Sequence, residues 1–144
     1  MNRVPRAHAL TFRDTAVGMK YSFKRLISQA DVEAFARLSG DYNPLHIDKS
    51  FAEGTPFKGA VVHGMLAASL ISALIGMRLP GRYGVMVHQD IKYISPIRPG
   101  QTVKVFGEVV NKIDSVRVLM IRALIAGKDD KVLVEGTAKV KMLR

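Results

Sequence analysis

The segment His63-Gly-Met-Leu-Ala-Ala-Ser-Leu-Ile-Ser-Ala-Leu-Ile-Gly-Met-Arg-Leu79 is apolar on nearly every side. A helix that is hydrophobic all round is either a membrane span or a helix buried in a protein core. This segment is at the lower limit of the length that crosses a bilayer. Arg78, the two serines and the strand-rich sequence that follows favour a buried core helix. Its small residues would let other parts of the backbone approach it closely.

The sequence after this helix predicts four strands. They cover Val85 to Ser95, Thr102 to Val110, Val116 to Ala126 and Val132 to Met142. Turn sequences separate them at 96–100, 111–115 and 127–131. Because the turns at 111–115 and 127–131 are short, the strands that they join should pair as antiparallel hairpins. The expected fold class is α+β, with a curved antiparallel sheet that wraps around one long apolar helix.

Upstream, the sequence predicts a short strand and a capped helix. Tyr21 to Ile27 is typical of an extended strand. Ser28 is an N-cap candidate, and Asp31 places a negative charge near the positive end of the helix. Apolar residues then recur at helical spacing, and Gly40 is expected to end the helix. One or two further helical turns are predicted within Asp48 to Glu53.

Between these helices lies Ser39-Gly-Asp-Tyr-Asn-Pro-Leu-His46, which is predicted to be a shaped loop. Pro44 has no backbone N–H and biases Asn43 towards extended conformations, so the stretch is not expected to be regular helix. Asp41 and His46 can both transfer protons. Loops on a rigid scaffold are where catalytic residues concentrate. The alternative is that Asp41 and Asn43 only satisfy local backbone groups, as in an Asx turn.

The composition of the chain limits its chemistry. The chain has 144 residues and a mass of 15.9 kDa, which fits one domain over residues 1–144. A net charge of +10 favours an anionic partner, such as nucleic acid, an anionic membrane or a phosphorylated ligand. There is no cysteine, which excludes disulfides and thiolate chemistry. The four histidines, at 8, 46, 63 and 88, lack tight ligand spacing, so no metal site is expected.

The N-terminal residues do not have the pattern of a secretory signal. Met1 to Phe12 carry Arg3 and Arg6 but no long apolar run. We expect this segment to be a frayed terminus rather than the remnant of a transit peptide. The protein is expected to be cytoplasmic, or in the mitochondrial matrix if its source is eukaryotic.

Three stretches together resemble one family. They are Phe35-Ala-Arg-Leu-Ser-Gly-Asp41-Tyr-Asn43-Pro44-Leu-His46 followed by Phe51-Ala52, Val62-His63-Gly64-Met65-Leu66 with Ser69 and Ser72 downstream, and the turn Pro96-Ile-Arg-Pro-Gly-Gln-Thr-Val103. They resemble the MaoC-like (R)-specific enoyl-CoA hydratases (hydratase 2), which have the hot-dog fold. The similarity covers roughly Met19 to Leu143, and the D-x-N-P-x-H loop is a specific signal.

The resemblance implies a hot-dog fold and a homodimer whose sheets join edge to edge. It implies reversible syn addition of water to a trans-2-enoyl-CoA, which gives an (R)-3-hydroxyacyl-CoA. Asp41 and His46 match the catalytic pair of the family, and Asn43 matches a residue that helps to hold the water. Gly64 matches the backbone donor to the thioester carbonyl. Ser72 matches a serine of the central helix that lies beside the active centre.

The residue types suit this reaction. Water adds to C3 while a proton goes to C2, and negative charge gathers on the thioester oxygen. A carboxylate and an imidazole can transfer these protons near neutral pH, and the sequence leaves open which one is the base. Free N–H groups at a helix start can stabilise the oxygen, and glycine at 64 lets it approach. His63 is expected to be structural.

Carriers of the acyl group would be anionic. The substrate would be a thioester of coenzyme A or of acyl carrier protein, and neither a metal nor a redox cofactor is expected. Lysines and arginines at the mouth of the site would hold the phosphates. The candidates, which the sequence does not rank, are Lys58, Arg78, Arg82, Lys92 and Arg98.

Three other functions stay open. A 3-hydroxyacyl-[acyl-carrier-protein] dehydratase of fatty-acid synthesis would use the same residues and differ only in its substrate. A hot-dog thioesterase needs a carboxylate near the thioester carbon, and the central helix has none. A non-catalytic module that binds acyl-CoA or nucleic acid would not need Asp41 and His46 together. The chain has no nucleic-acid-binding motif, so we expect no nucleic-acid partner.

Overall fold

One sheet holds the five strands found in residues 4–144, which are the residues that this computed structural model describes. Met1 to Arg3, the beginning of the predicted frayed terminus, lie outside the described residues. The strands are β1 (Lys20–Ile27), β2 (Gly84–Tyr93), β3 (Gln101–Ile113), β4 (Val118–Ala126) and β5 (Val132–Met142). All neighbours pair antiparallel in the order β1-β3-β4-β5-β2, so β1 and β2 are the edges.

In the described part of the chain, four helices lie between β1 and β2. They are α1 (Gln29–Ser39), α2 (Pro44–Ile47), α3 (Lys49–Glu53) and α4 (Gly64–Met77). Short 3₁₀ turns, Asp114–Val116 and Lys128–Asp130, connect β3 to β4 and β4 to β5. The predicted α+β architecture is confirmed.

The long helix α4 supplies the centre of the core. Its buried side carries Ala67, Ala68, Ile71, Leu74 and Ile75. These residues lie against the inward-facing side chains of the sheet, most of them in one apolar cluster. Gly107 of β3 sets how closely the helix approaches, because a Cβ there would lie 2.5 Å from Cδ2 of Leu74. α4 has 14 residues, and no helix within residues 4–144 has the length and apolar character needed to traverse a bilayer.

The third strand is longer than the sequence predicts. Asn111 and Lys112 suggest a turn, but pairing with β4 continues through them to Ile113. The register shifts between Val109 and Asn111, which leaves Val110 as a bulge, and Asn111 and Lys112 then pair with Met120 and Leu119, so the strand does not end there. The chain reverses after Ile113, and Arg117 in this turn adopts a left-handed conformation with φ of 47°. The predicted turn over 111–115 is therefore placed too early.

The ends of α1 follow the sequence prediction. Ser28 Oγ accepts the Asp31 N–H at 3.1 Å, and Asp31 Oδ2 accepts the Ser28 N–H at 2.9 Å, which is a complete capping box. Gly40 ends the helix with φ of 77°, a conformation that glycine adopts without strain. The chain therefore leaves α1 in a fixed direction directly before Asp41.

The loop after α1 is shorter than predicted, because it ends in a turn of helix. Pro44 is the first residue of α2, where its missing N–H would have no helical partner in any case. Asn43 caps this turn by accepting the Leu45 N–H at 3.0 Å. The expectation that 39–46 contains no regular helix is therefore wrong from Pro44 onwards, and His46 lies on a helical turn.

The segment before β1 packs across the domain, in contrast to the predicted frayed terminus. Ala9 forms a bridge with Gly81, and Phe12 is buried. Lys112 holds the segment by donating to the carbonyls of Phe12, at 2.6 Å, and Thr15, at 2.5 Å. Its ammonium also lies 4.3 Å from the centroid of the Phe12 ring.

Candidate active site

The loop that follows α1 is held by local bonds from side chains to the backbone. Asp41 N–H donates to Ser39 Oγ at 3.2 Å, and Asp41 Oδ1 accepts the Asn43 N–H at 3.2 Å. The Asx turn expected as an alternative is thus present, together with the cap that Asn43 supplies to α2. Both side chains are exposed, and a carboxylate or amide oxygen can accept more than one hydrogen bond. The local bonds therefore leave Asp41 and Asn43 able to bind a water.

The imidazole of His46 is fixed by the segment that precedes α4. Its Nδ1 lies 2.7 Å from the carbonyl oxygen of Val61. A carbonyl can only accept, so Nδ1 carries the proton and the neutral ring has its lone pair on Nε2. This tautomer leaves Nε2 ready to take a proton from a bound molecule.

His63 lies beneath this imidazole and is 1% exposed. Its ring stacks on His46 with 3.9 Å between the centroids and 31° between the planes. Its Nε2 lies 2.9 Å from the backbone carbonyl of Asp41, so that nitrogen is the donor. The structural role predicted for His63 fits these contacts. The sequence did not reveal its partners, because they come from another segment.

Asp41, His46 and His63 together form one polar cluster. A carboxylate oxygen and one nitrogen from each ring lie within 4.8 Å of one another. Such groups can bind metals as well as protons. The two rings are stacked one over the other, however, so their lone pairs do not converge on one point. We therefore assign no metal to the cluster. A carboxylate and an imidazole this close together can transfer protons.

A cavity of about 460 Å³ opens beside the cluster. His46 and Gly64 both line it, although they come from α2 and from the start of α4. The rest of its wall is largely apolar, with Phe57, Val62, Ala67, Ile97 and Val134. An apolar cavity with a few convergent polar groups is the usual form of a small-molecule site. The structure therefore brings the predicted proton-transfer histidine and the predicted oxyanion donor to one place.

Tyr93, at the end of β2, is a residue of the site that the sequence did not single out. It lines the cavity, and its hydroxyl donates to Met65 Sδ at 3.8 Å. Burial raises the pKa of the Tyr93 hydroxyl above its usual value, so the group stays protonated at neutral pH. No local pattern marks this tyrosine; only the meeting of β2 with α4 reveals it.

Ser72 lies away from this cavity within the chain. It is on the exposed side of α4, the side that also carries Met65 and Ser69. Ser69 Oγ donates to the Leu66 carbonyl at 2.6 Å. The apolar residues that follow Ser72 divide: Leu74 and Ile75 belong to the core, whereas Ala73 and Met77 line a separate cavity of about 580 Å³.

Two of the predicted phosphate ligands lie close to the site. Lys58 and Arg98 line a cavity of about 670 Å³ that shares His46 and Phe57 with the first cavity. Lys58 is exposed. Arg98 is largely engaged, because its guanidinium donates to the carbonyls of residues 57, 59 and 60 at 2.5, 2.8 and 3.2 Å. These bonds favour a structural role for Arg98 and leave Lys58 as the better candidate.

The other predicted phosphate ligands lie elsewhere. Arg78 follows the C-terminal end of α4, ~20 Å from Gly64 by the rise of a 14-residue helix, and packs over the ring of Tyr21. Arg82 lies just beyond it and is exposed. Lys92 lies 4.0 Å from a carboxylate oxygen of Glu135. Within one chain, none of the three borders either cavity that His46 lines.

The fold and this arrangement of residues are those of a known family. The family model for the MaoC like domain matches residues 13–127. The chain therefore belongs to the family of MaoC-like domains, and it has the hot-dog fold of its structural neighbours.

Individual relatives match nearly the whole chain. It is 38% identical over 139 residues to the 3-hydroxybutyryl-CoA dehydratase of Methylorubrum extorquens, covering 96% of this chain and 88% of that protein. It is 38% identical over 131 residues to the (R)-specific enoyl-CoA hydratase of Rhodospirillum rubrum, covering 90% and 89%. The solved structure of the (R)-hydratase from Aeromonas caviae, described as involved in PHA biosynthesis, matches with a TM-score of 0.87 and 35% identity, covering 90% and 98%.

Proposed function

We propose that this protein is an (R)-specific enoyl-CoA hydratase, a hydro-lyase that adds water reversibly to trans-2-enoyl-CoA and gives (R)-3-hydroxyacyl-CoA. One observation carries the proposal: His46 and Gly64 line the same apolar cavity, and the Asp41 carboxylate lies beside His46. The names of relatives that match almost the full chain support the same reaction.

The start of α4 supplies the electrostatic part of this chemistry. The N–H groups of the first helical turn have no partner within the helix, and the positive end of the helix dipole lies there. A thioester oxygen at Gly64 would accept such an N–H, and this bond strengthens as negative charge develops on the oxygen. Because glycine has no side chain, the oxygen can approach the backbone.

Asp41 and His46 supply the proton transfers. One of them takes a proton from the water as its oxygen bonds to C3, and the pair delivers a proton to C2. Elimination of water from the 3-hydroxyacyl thioester runs through the same groups in reverse. Because the Asp41 carboxylate and the His46 imidazole lie together, we assign the two transfers to the pair. The exposed amide of Asn43 is proposed to hold the water.

We also propose a homodimer in which two β2 edges pair. β2 is an edge strand, and Val85, Val87 and Tyr93 on it are exposed by 46, 60 and 49%. An exposed apolar edge is normally paired or covered in native proteins. Met65 is 65% exposed on the neighbouring side of α4, the side that carries Ser72. Such a dimer would cover this side and take Ser72 into the interface beside the site.

Crotonyl-CoA tests the proposed activity. Purified protein should remove the absorbance of the conjugated thioester, and chiral analysis of the product should give the (R)-3-hydroxybutyryl thioester. The Asp41→Asn variant, prepared in parallel, is the control for a contaminating hydratase. An (S)-product, or no hydration of any enoyl thioester across a series of short and medium chain lengths, would reject the proposal.

The same preparation separates the alternative functions. A higher kcat/KM for crotonyl-acyl carrier protein than for crotonyl-CoA would assign the chain to acyl-carrier-protein dehydration. Release of free CoA thiol would indicate a thioesterase. Tight binding of the thioester without turnover would indicate a non-catalytic module.

A further inference from the structure

Two histidines join the loop that carries Asp41 to the segment before α4 by reciprocal hydrogen bonds. From the loop side, His46 Nδ1–H donates to the Val61 carbonyl at 2.7 Å. From the helix side, His63 Nε2–H donates to the Asp41 carbonyl at 2.9 Å. Each imidazole thus binds the backbone of the segment that carries the other, and the rings stack at 3.9 Å.

The two bonds hold opposite ends of the D-x-N-P-x-H stretch. His46 is fixed through its own ring, whereas Asp41 is fixed through its carbonyl. The other hydrogen bonds of Asp41 are to Ser39 and Asn43, each two positions away. In the described part of the chain, the bond from His63 is thus the single hydrogen bond that ties Asp41 to a distant segment.

His63 is also attached to the proposed oxyanion donor. It is the N-cap residue of α4, directly before Gly64. Its ring also packs against Phe35 of α1, with 4.9 Å between the two ring centroids. The ring therefore sets the distance between the Asp41 backbone and the first N–H groups of α4.

We infer that His63 is a positioning residue, which places Asp41 and the imidazole of His46 relative to the start of α4. This inference rests on the proposed function, in which Asp41 and His46 transfer protons. His63 is buried and does not belong to the wall of the 460 Å³ cavity, so it acts through its neighbours and not on the substrate. A misplacement of about 1 Å in a reacting group can lower the rate roughly 10²-fold.

The second ring nitrogen of His63 makes a sharp test possible. Its Nδ1 has no hydrogen-bond partner within residues 4–144. A phenyl ring would keep the stacking and remove only the Nε2–H bond and an unpartnered nitrogen. If His63 is purely structural, His63→Phe should keep its activity, and its stability should change only by the balance between the lost Nε2–H bond and the removed unpartnered nitrogen. If His63 is a positioning residue, His63→Phe should lose activity while its stability changes little.

Three variants separate the two contacts. His63→Phe keeps a ring without the donor, His63→Gln keeps an N–H near the position of Nε2 without the ring, and His63→Leu loses both. The melting temperature of His63→Phe should be at most a few degrees below that of the wild type. Its kcat for crotonyl-CoA should fall about 10- to 10²-fold with KM changed less than about threefold. His63→Gln should retain more activity than His63→Leu. His8→Phe, which removes a bond from a histidine to the Arg78 carbonyl at the far end of α4, is the matched control.

A double-variant cycle tests the route of action. If His63 acts through Asp41, adding His63→Phe to Asp41→Asn should change kcat little further. Two losses that multiply would show that His63 acts independently of Asp41 and would overturn the inference.

Amide hydrogen exchange tests the inference without any turnover. His63→Phe should speed exchange in residues 41–47 and leave β3, β4 and β5 unchanged. Unchanged exchange in the loop, or a uniform increase across the sheet, would also overturn it. The wild-type protein could hydrate no thioester while His63→Phe still speeds exchange in residues 41–47. That result would contradict the proposed function and leave the positioning role in place.

Discussion

The ring of Tyr93 covers Gly64 so closely that a Cβ on residue 64 would lie 2.9 Å from Cζ of the tyrosine. The end of β2 and the beginning of α4 therefore meet at a point where any side chain on residue 64 would force a shift. This contact closes one side of the cavity, directly at the N–H groups proposed to bind the thioester oxygen. Glycine at this position is required by the packing, and under the proposed function it would also allow the substrate to approach.

The first prediction concerns this contact. Gly64→Ala should lower kcat/KM for crotonyl-CoA roughly 10²-fold, because the methyl group displaces Tyr93 and blocks the thioester oxygen. Steady-state kinetics and a melting curve measure the two effects. Gly76→Ala is the matched control on the same helix, since a Cβ there has no atom within 4 Å. Equal activity of the two variants would remove Gly64 from the site.

The second prediction concerns the proton-transfer pair. Asp41→Asn and His46→Gln should each leave a folded dimer and lower kcat about 10²–10⁴-fold, the usual contribution of a general acid or base. Circular dichroism checks the fold, and crotonyl-CoA turnover checks the activity. Asp48→Asn is a suitable control, because Asp48 only caps α3 through the Phe51 N–H. Near wild-type turnover in either variant of the pair would refute its role.

The third prediction concerns assembly. Light scattering at micromolar concentration should give a dimer, with twice the 15.9 kDa mass of one chain. Val87→Asp on β2 should shift the protein towards monomers and lower activity, because a charge on the pairing edge opposes association. Leu26→Asp, at a 52% exposed position on the other edge, should leave the dimer intact. A monomeric wild-type protein would be incompatible with the proposed pairing.

The fourth prediction concerns the positive charge. KM for crotonyl-CoA should rise with salt while kcat stays within a small factor, because exposed ionic contacts are screened over about 8 Å at physiological ionic strength. Lys58→Ala should raise KM at low salt and weaken this dependence. Lys139→Ala, an exposed cation on β5, should do neither. A crotonyl-pantetheine substrate lacks the nucleotide phosphates, so an equal salt effect on its KM would show that the cations do not bind those phosphates.

The fifth prediction concerns pH and α1. The backbone N–H of Ser28, which donates to the Asp31 carboxylate, holds the pKa of Asp31 below the usual value, and the nearby Arg25 acts in the same direction. A carboxylate with a lowered folded-state pKa stabilises the protein above its unfolded pKa, and this contribution is lost as the pH falls through the folded value.

Asp31→Asn should therefore lower the melting temperature near pH 7 by roughly 1–3 °C, since the group is partly exposed. The gap from the wild type should close as the pH is lowered towards about 3, below the ordinary pKa of an aspartate. Glu33→Gln, on the same helix and exposed, should show a smaller gap. A gap that stays constant down to acid pH would show that the charge of Asp31 does not stabilise the helix.

Local sequence patterns predict the elements of this fold well, and contacts between segments much less. The capping box at Ser28 and the alternation in β5 depend on neighbouring residues, so the sequence alone is enough to recognise them. Asn111 carries the composition of a turn, yet pairing with β4 prevails over that preference. Pro44 suggests irregular backbone, but the first position of a helix accepts proline.

The candidate site shows the same division. The motif predicts Asp41 and His46 as the proton-transfer groups, and the start of a helix predicts Gly64 as the oxyanion donor. The stacking of His63 on His46 could not be predicted, because the two lie on different helical segments and only the fold brings them together. The position of Tyr93 in the site could not be predicted for the same reason. The charge of Arg98 suggests phosphate binding, whereas most of its donors hold a neighbouring loop.

The three bonds from Arg98 have a consequence for how this enzyme could be altered. They hold the loop through the backbone carbonyls of residues 57, 59 and 60, which every residue type provides, so the side chains at 57 and 58 are not needed for these bonds, although the φ of 56° at residue 58 disfavours β-branched replacements there. Phe57 borders both cavities, whereas Lys58 borders only one. A library randomised at these two positions would therefore vary the width and polarity of the entrance while Asp41, His46 and Gly64 stay where they are. The loop is a natural place to engineer acceptance of bulkier thioesters.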